Sequence, residues 1–75
     1  MFPQDEIKRR IVAAFEDAQV EIVDLTGGQD HYQVSITSSV FEGVSPLERH
    51  RKVYALFSDV VGGDLHALSL NTKTP

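Results

Sequence analysis

The stretch over residues 45–70 constrains the fold most, because it combines a helix start, a helix stop and a strand. Ser45 and Glu48 match the S-x-x-E capping box that begins helices, and the proline between them suits the first helical position. The Gly-Gly pair further along is typical of the left-handed exit at a helix C-terminus. We therefore predict a helix over residues 46–61 and a strand over residues 65–70.

This predicted helix has an apolar face, which we expect to pack against the rest of the protein. At 100° per residue, several apolar side chains and one histidine fall on a single stripe. The stripe consists of Leu47, His50, Val53, Tyr54, Phe57, Val60 and Val61. We expect the other segments to cover this stripe or to pair with the strand that follows the helix.

The rest of the chain predicts one more helix and two more strands. Apolar residues spaced i, i+4, i+7, i+8 and i+11 predict a helix over residues 3–18. β-branched residues over 20–25 and strict alternation over 31–38 predict two strands, which a glycine-containing turn joins. The resulting order is α-β-β-α-β, and the strands on either side of the second helix are parallel if they share a sheet.

This order predicts an α+β protein with one small domain over residues 1–75. Two helices on one face of a three-stranded mixed sheet are the simplest arrangement that buries every apolar stripe. A chain of 75 residues forms a core that supports only about 3–5 kcal/mol of stability, so few apolar side chains are spare.

The composition argues against several classes of function. The chain has no cysteine, which excludes disulfides, thiol catalysis and thiolate-only metal sites within it. A net charge of −4 argues against a dedicated nucleic-acid-binding protein, whose surface is usually basic. No apolar run approaches the roughly 18 residues of a membrane helix, and the N-terminus resembles no targeting peptide. We expect a cytoplasmic protein without a membrane partner, or one that reached another compartment by losing a segment not present here.

Three histidines are the candidates for metal chemistry. No nucleophile has an obvious base, and neither a zinc-type spacing nor a phosphate loop occurs, so we expect no enzymatic activity. His50 falls on the apolar stripe, where a packed histidine is the simplest interpretation. His66 opens the third strand and is either a half-buried structural residue or a reachable ligand. His31 begins the second strand on its polar face and is either a plain exposed histidine or a ligand.

Arg49, His50, Arg51 and Lys52 form a short basic edge in an acidic chain. Such an edge, together with Lys73, suits the binding of an acidic partner or a phosphate backbone. A solvated helix surface is an equally good interpretation of the pattern. A second basic triplet, over residues 8–10, is interpreted as a solvated helix face.

Residues around this edge resemble the signature of the BolA family. The segment FEGVSPLERHRKVY over residues 41–54 resembles the family pattern F-x-G-x(5)-R-H-R-x-V-Y. The segment LHAL over 65–68, followed by TKTP over 72–75, resembles the family's I/V-H-A-L…T-x-T-P ending. The resemblance covers nearly the whole chain, and it implies a class II KH-like fold, in agreement with the α-β-β-α-β order.

The resemblance also implies a partner and a cofactor. Family members pair with a monothiol, CGFS-type glutaredoxin, as apo heterodimers or as heterodimers bridged by a 2Fe–2S cluster with glutathione. It implies that His66 is the C-terminal cluster ligand. The family's second ligand comes from the loop between the first two strands, but residues 26–30 contain neither His nor Cys. The resemblance therefore transfers that role to His31, and the chain alone is expected to be a monomer or a weak homodimer.

The sequence leaves three functions open. The first is a non-enzymatic adaptor for iron–sulfur trafficking, assembly or iron regulation, which cannot hold a four-ligand cluster alone because it has no thiolate. The second is a KH-like transcriptional regulator that binds DNA through Arg49, Arg51, Lys52 and Lys73, although the chain lacks the G-x-x-G loop with which KH domains clamp a nucleic-acid backbone. The third is an interaction module without a metal.

Overall fold

The computed structural model describes residues 2–63, 65 and 67–75. Within these residues the chain forms two α-helices and three β-strands, with single turns of 3-10 helix at 39–41 and 55–57. The elements are α1 (Gln4–Ala14), β1 (Gln19–Asp24), β2 (His31–Thr37), α2 (Pro46–Tyr54) and β3 (Ala67–Lys73). This order confirms the predicted α-β-β-α-β arrangement and the α+β class.

Strand β2 lies at the centre of a three-stranded mixed sheet with the order β1-β2-β3. It pairs antiparallel with β1, where Val34 lies opposite Ile22. It pairs parallel with β3, where Val34 lies opposite Leu70. The parallel pair confirms the prediction, because the helix between these two strands supplies the long crossover that parallel neighbours require.

One face of the sheet carries the hydrophobic core. Alternate side chains of β2 are fully buried, and apolar side chains from both helices pack against them. The core of the sheet and helices includes Ile7, Ile11, Tyr32, Val34, Ile36, Val53 and Leu68. The alternate positions of β2, beginning with His31, lie on the opposite face and are half-buried or exposed. The strand therefore separates a buried face from an accessible one, as its alternating sequence predicted.

Helix α1 ends at Ala14, so the predicted range of 3–18 was too long. Phe15 adopts an extended conformation, although its N–H still donates to the carbonyl of Ile11. Ala18 N–H then donates to the carbonyl of Phe15, which forms a turn instead of another helical turn. Phe15 is nevertheless buried, so the periodicity identified a core residue beyond the true end of the helix.

The carboxylate of Asp17 explains why the chain turns here. It accepts hydrogen bonds from Ser38 Oγ at 2.5 Å and from Ser39 N–H at 2.9 Å, both of which follow β2. The Ser38 hydrogen bond, followed by those of Ser39, lowers the pKa of Asp17 to about 2. A contact with a distant segment therefore competes with the local helical pattern.

The predicted start of the second helix was correct, but its end was not. The Ser45 hydroxyl accepts a hydrogen bond from Glu48 N–H, as the capping box predicts. The regular helix ends at Tyr54, and the chain tightens into a 3-10 turn. Because a 3-10 helix has about three residues per turn, the residues that follow no longer continue the 100° stripe. Val61 is consequently exposed, and Leu47, at the other end of the stripe, is 61% exposed.

Strand β3 runs over Ala67–Lys73, so it extends beyond the predicted end at residue 70. Leu65 is fully buried and forms an isolated parallel bridge with Val61. Gly62 has a φ of 90°, the left-handed conformation predicted for the exit. That conformation occurs after the 3-10 turn, beyond the end of the regular helix.

Arg10 connects α1 with the segment that follows α2. The prediction that residues 8–10 form a solvated helix face is therefore wrong for Arg10. Its Nη1 donates to the carbonyl of Leu56 at 2.9 Å and to Oδ1 of Asp59 at 2.8 Å. Its guanidinium also lies over the rings of Phe2 and Phe57, at 5.3 Å and 5.7 Å from their centroids. The side chain therefore joins two segments through both hydrogen bonds and cation–π contacts.

We predict that Arg10→Ala lowers the free energy of unfolding by about 1–3 kcal/mol, because it removes hydrogen bonds to a carboxylate and a carbonyl. Arg9→Ala is the matched control. Arg9 forms an exposed salt bridge with Glu6, which Arg10 also contacts. Urea unfolding followed by circular dichroism measures both variants. Equal effects of the two substitutions would contradict the assigned role of Arg10.

We also predict a specific acid sensitivity from Asp17. Its pKa of about 2 is lower than that of an aspartate in an unfolded chain, so its ionised form stabilises the native state. This contribution is fully present above pH ~4 and is lost as the pH falls through about 2. Asp17→Asn is expected to be less stable than wild type at pH 7, and the difference is expected to shrink below pH ~4.

Urea unfolding across this pH range measures the effect, with Glu16→Gln as a charge-matched control on the neighbouring exposed carboxylate. A stability difference between Asp17→Asn and wild type that is independent of pH would show that the Ser38 and Ser39 contacts do not act through the ionised carboxylate.

Candidate functional site

The first candidate site lies where β2 and β3 begin side by side. His31 opens β2 on the face opposite the core, and its side chain is 34% exposed. The parallel register places His31 beside Ala67, the first residue of β3. His66, the predicted principal ligand, precedes Ala67 in the sequence but lies outside the described residues, and its role stays a prediction.

The side chain of His31 contacts the carboxylate of its neighbour Asp30. The distance from His31 Nδ1 to Asp30 Oδ1 is 3.1 Å. The same oxygen accepts a hydrogen bond from Thr26 Oγ1 at 2.8 Å. The adjacent imidazole of His31, and then the hydrogen bond from Thr26, lowers the pKa of Asp30 below its ordinary value. An ionised carboxylate therefore lies against one nitrogen of the imidazole.

The loop before His31 is organised by a second carboxylate, that of Asp24. Its Oδ1 accepts hydrogen bonds from the N–H groups of Thr26 at 3.3 Å and Gly27 at 2.9 Å, and its Oδ2 accepts from Gln29 N–H at 3.1 Å. Gly27 and Gln29 both have positive φ, of 78° and 59°. The backbone of this loop therefore folds around the side chain of Asp24.

Asp24 and Asp30 were not among the residues predicted from the sequence. A signal for Asp24 was present, because aspartate often accepts a hydrogen bond from the backbone two residues further on, and a Thr-Gly-Gly turn follows it. Asp30 had no comparable signal, because its role depends on the rotamer of His31 and on Thr26.

The described residues of this site do not by themselves form a metal-binding cluster. Within residues 2–63, 65 and 67–75, no three His, Cys, Asp or Glu side chains lie together as a metal-binding group. His31 offers one imidazole at an accessible surface. The absence of cysteine in the sequence means that any thiolate ligand must belong to another molecule.

The second candidate site is the basic edge of α2. The side chain of Arg49 in this edge mainly contacts other parts of the protein. Its Nε donates to the carbonyl of Val44 at 2.8 Å, and its Nη1 lies 3.5 Å from the carbonyl oxygen of Thr72 in β3. Its guanidinium lies 5.8 Å from the ring centroid of Phe41. Arg49 therefore connects the start of α2 to the sheet, in addition to any role at the surface.

The other predicted residues of this edge differ in their surroundings. Arg51 is exposed and pairs with Glu48 at 2.9 Å. His50 is half-buried, with its ring centroid 6.2 Å from that of Tyr54, in agreement with a packed histidine. Lys52 is exposed on α2, and Lys73 is exposed at the end of β3.

The described part of the chain has no helix that combines the length and the apolar character needed to cross a membrane.

Comparison with known proteins identifies the family. The family model for BolA-like proteins matches residues 11–75. Human "BolA-like protein 1" is 47% identical over 49 residues, which are 65% of this chain and 36% of the human protein. The Escherichia coli "DNA-binding transcriptional regulator BolA" is 31% identical over 81 residues, which cover 99% of this chain and 77% of that protein.

A solved structure agrees with these sequence matches. The BolA domain of SufE1 from Arabidopsis thaliana superimposes with a TM-score of 0.85 and 32% sequence identity, and the match covers 95% of this chain and 89% of that chain. The signature around α2, the family match and the shared fold lead to one conclusion: this chain belongs to the BolA-like protein family.

Proposed function

We propose that this protein is a non-enzymatic adaptor that binds a monothiol, CGFS-type glutaredoxin and shares with it a glutathione-containing 2Fe–2S cluster. It would act in iron–sulfur cluster trafficking, assembly or iron regulation. Membership of the BolA-like family supports the proposal, because the sequence signature of that family implies such a partner. One structural observation carries it: His31 lies half-exposed at the start of the central strand β2, beside Ala67, which directly follows His66 in the sequence.

The available donors support a shared cluster. A 2Fe–2S cluster is held by four ligands, and imidazoles can replace thiolates on one of the two irons. This chain has histidines but no cysteine, so it can supply the imidazole side of such a centre. The glutaredoxin and glutathione would supply the thiolates, and the bound cluster would provide the iron–sulfur unit that is passed on or sensed.

The polar face of the sheet suits the approach of such a partner. His31 lies on this face, and the neighbouring positions of β2 on the same face, Gln33 and Ser35, are exposed or half-buried. Val23, near the end of β1, and Leu25, just after it, are more than half exposed, at 54% and 56%. A partner that contacts His31 would also cover these two apolar side chains.

Regulation of transcription through DNA binding is the second candidate. The E. coli relative with 31% identity carries that function in its name, and Arg51 and Lys52 are exposed on α2. Three observations weigh against it: the net charge is −4, Arg49 is bonded to backbone carbonyls, and Arg51 pairs with Glu48. We therefore favour the adaptor function.

We predict that the cluster spectrum of the complex depends on His31 and His66. Titration of the wild type into a glutathione-ligated 2Fe–2S monothiol glutaredoxin is expected to change the visible absorption and circular dichroism spectra. His66→Ala and His31→Ala are expected to remove most of this change, because each deletes an imidazole ligand. His50→Ala, which alters a packed histidine of α2, is the control and is expected to retain the change.

A separate calorimetric titration with the apo glutaredoxin distinguishes lost ligation from lost docking. Wild-type spectral changes that persist in both ligand variants would reject cluster sharing through these histidines. Binding of the apo partner without any cluster-dependent change would favour a metal-free interaction module.

A second prediction concerns DNA binding, the alternative function. Contacts with phosphates release counterions, so true DNA binding weakens steeply as salt increases. We expect fluorescence anisotropy to show no saturable binding of duplex or single-stranded DNA at ~0.1 M salt. Saturable binding that is weakened by Lys52→Ala and falls steeply with salt would instead support the regulator, with Lys8→Ala on α1 as the charge-matched control.

A further inference from the structure

The two outer edges of the sheet differ in how their backbone groups are covered. Strand β3 forms one edge, and Ala67 N–H donates to the carbonyl of Asp30 in the segment before β2. Because the pattern alternates along the strand, the carbonyls of Leu68 and Thr72 point away from β2. Side chains of α2 reach both of them: Tyr54 Oη donates to Leu68, and Arg49 Nη1 lies 3.5 Å from Thr72. The helix therefore covers the β3 edge.

The outer edge of β1 has no equivalent cover. Leu25 N–H donates to the carbonyl of His31, in the pair that follows the last register position of the two strands. Because antiparallel hydrogen bonds alternate, the odd-numbered residues of β1 bond to β2, while Val20 and Ile22 turn their N–H and C=O groups outward. In the part of the chain that the structure describes, no hydrogen bond reaches these outward groups.

Strand β1 also lacks the features with which proteins commonly block pairing at a sheet edge. It pairs with β2 residue for residue, without a bulge, and contains neither proline nor lysine. The side chains of Val20 and Ile22 lie on the helix side of the sheet, where they border the core but are only half-buried. A strand added at this edge would complete both the backbone pairing and the burial of these side chains.

A cleft between this edge and α1 leaves room for the side chains of such a strand. It has a volume of about 190 Å³ and is lined by Gln4, Asp5, Lys8, Val20 and Ile22. A neighbouring cleft of about 240 Å³ shares Gln4 and Asp5 with it and reaches Asp24, at the end of β1. Together the two clefts follow the edge on its helix side.

The charge along this edge favours a basic occupant. Asp5 and Asp24 line the clefts, where Lys8 is the cation, and Glu21 is exposed on the other face of β1. Within the described residues neither Asp5 nor Glu21 forms a salt bridge. A second copy of this chain, with a net charge of −4, would add acidic groups to an acidic edge. A segment of opposite charge is attracted to it.

We propose that the outer edge of β1 is a docking site for an extended segment of a partner protein in which apolar residues alternate with lysine or arginine. The segment adds a fourth strand to the sheet by pairing with the outward groups of Val20 and Ile22. Its apolar side chains cover these two residues, and its basic side chains lie beside Glu21 on the other face. The site needs neither a metal nor a glutaredoxin, so it goes beyond the proposed function.

The first experiment measures amide hydrogen exchange by NMR in the metal-free protein. We expect the N–H groups of Val20 and Ile22 to exchange faster than those of Glu21 and Val23, which bond to β2. The probe is an acetylated and amidated hexapeptide of alternating valine and lysine, as long as β1. It is expected to shift the signals of Val20 and Ile22 and to slow their exchange. Slow exchange of these two groups without the peptide would show that the edge is already covered and would overturn the proposal.

The second experiment compares affinities by NMR titration. A hexapeptide of alternating valine and glutamate is expected to bind about tenfold more weakly or not at all, because its charges repel the edge. N-methylation of one alternate set of peptide residues is expected to abolish binding and methylation of the other set to preserve it, because only one set of N–H groups faces β1.

The matched protein variants are Glu21→Lys and Glu16→Lys, which make the same charge change on exposed residues. Glu21→Lys is expected to weaken the valine–lysine peptide about fivefold or more, because an attraction across the strand pair becomes a repulsion. Glu16→Lys lies outside both clefts that follow the β1 edge and is expected to stay within about twofold of wild type.

The remaining outcomes each reject a part of the proposal. Binding that tolerates both N-methylated peptides would reject strand pairing. Equal binding of the glutamate peptide, or equal effects of the two lysine variants, would reject charge recognition. A homodimer in analytical ultracentrifugation that excludes the peptide and is disrupted by Glu21→Lys would assign the edge to a second copy. All these measurements use this chain without glutaredoxin, so they stand apart from the test of the proposed function.

Discussion

Burial of alternate side chains of strand β2 is the constraint on which the rest of the structure depends. Tyr32, Val34 and Ile36 are fully buried beneath the helices, and full burial of one such apolar side chain contributes roughly 1.5–3 kcal/mol. The strand is also hydrogen-bonded on both sides. Because a shift of one residue would exchange its two faces, the burial that stabilises the core also keeps His31 on the accessible face. Fold stability and the position of the candidate ligand are therefore coupled.

The N-terminal segment and the loop before β2 reinforce this arrangement. Phe2 N–H donates to the carbonyl of Gln29 at 2.7 Å, and the Phe2 carbonyl accepts from the hydroxyl of Tyr32 at 2.6 Å. Asp24 holds the same loop from within by accepting hydrogen bonds from its backbone N–H groups. The segment that ends at His31 is thus connected to the core on one side and to a carboxylate on the other. Such support is what a ligand needs if a partner is to meet it in one geometry.

The basic residues divide between structural and surface roles in a way that bears on function. Arg10 and Arg49 both donate to backbone carbonyls and lie over aromatic rings. Arg51 pairs with Glu48, while Lys52 remains exposed on the same helix. A guanidinium that already donates to the fold has fewer donors for phosphate. The basic edge is consequently weaker as a nucleic-acid surface than its sequence suggests, which favours the adaptor over the regulator.

Sequence patterns alone predicted the order of elements, the alternation of β2, the capped start of α2 at Ser45 and the family. These features depend on residues that are close together in the chain, so a local pattern records them. The folded structure was needed to find the end of α1 at Ala14, the contacts of Arg10 with the segment after α2, and the contact between Asp30 and His31. Asp17 meets Ser38, and Arg10 meets Asp59, across long separations in sequence. A hydrogen bond between distant segments leaves no periodic signal, and a rotamer leaves none either, because both are set by packing after the chain has folded.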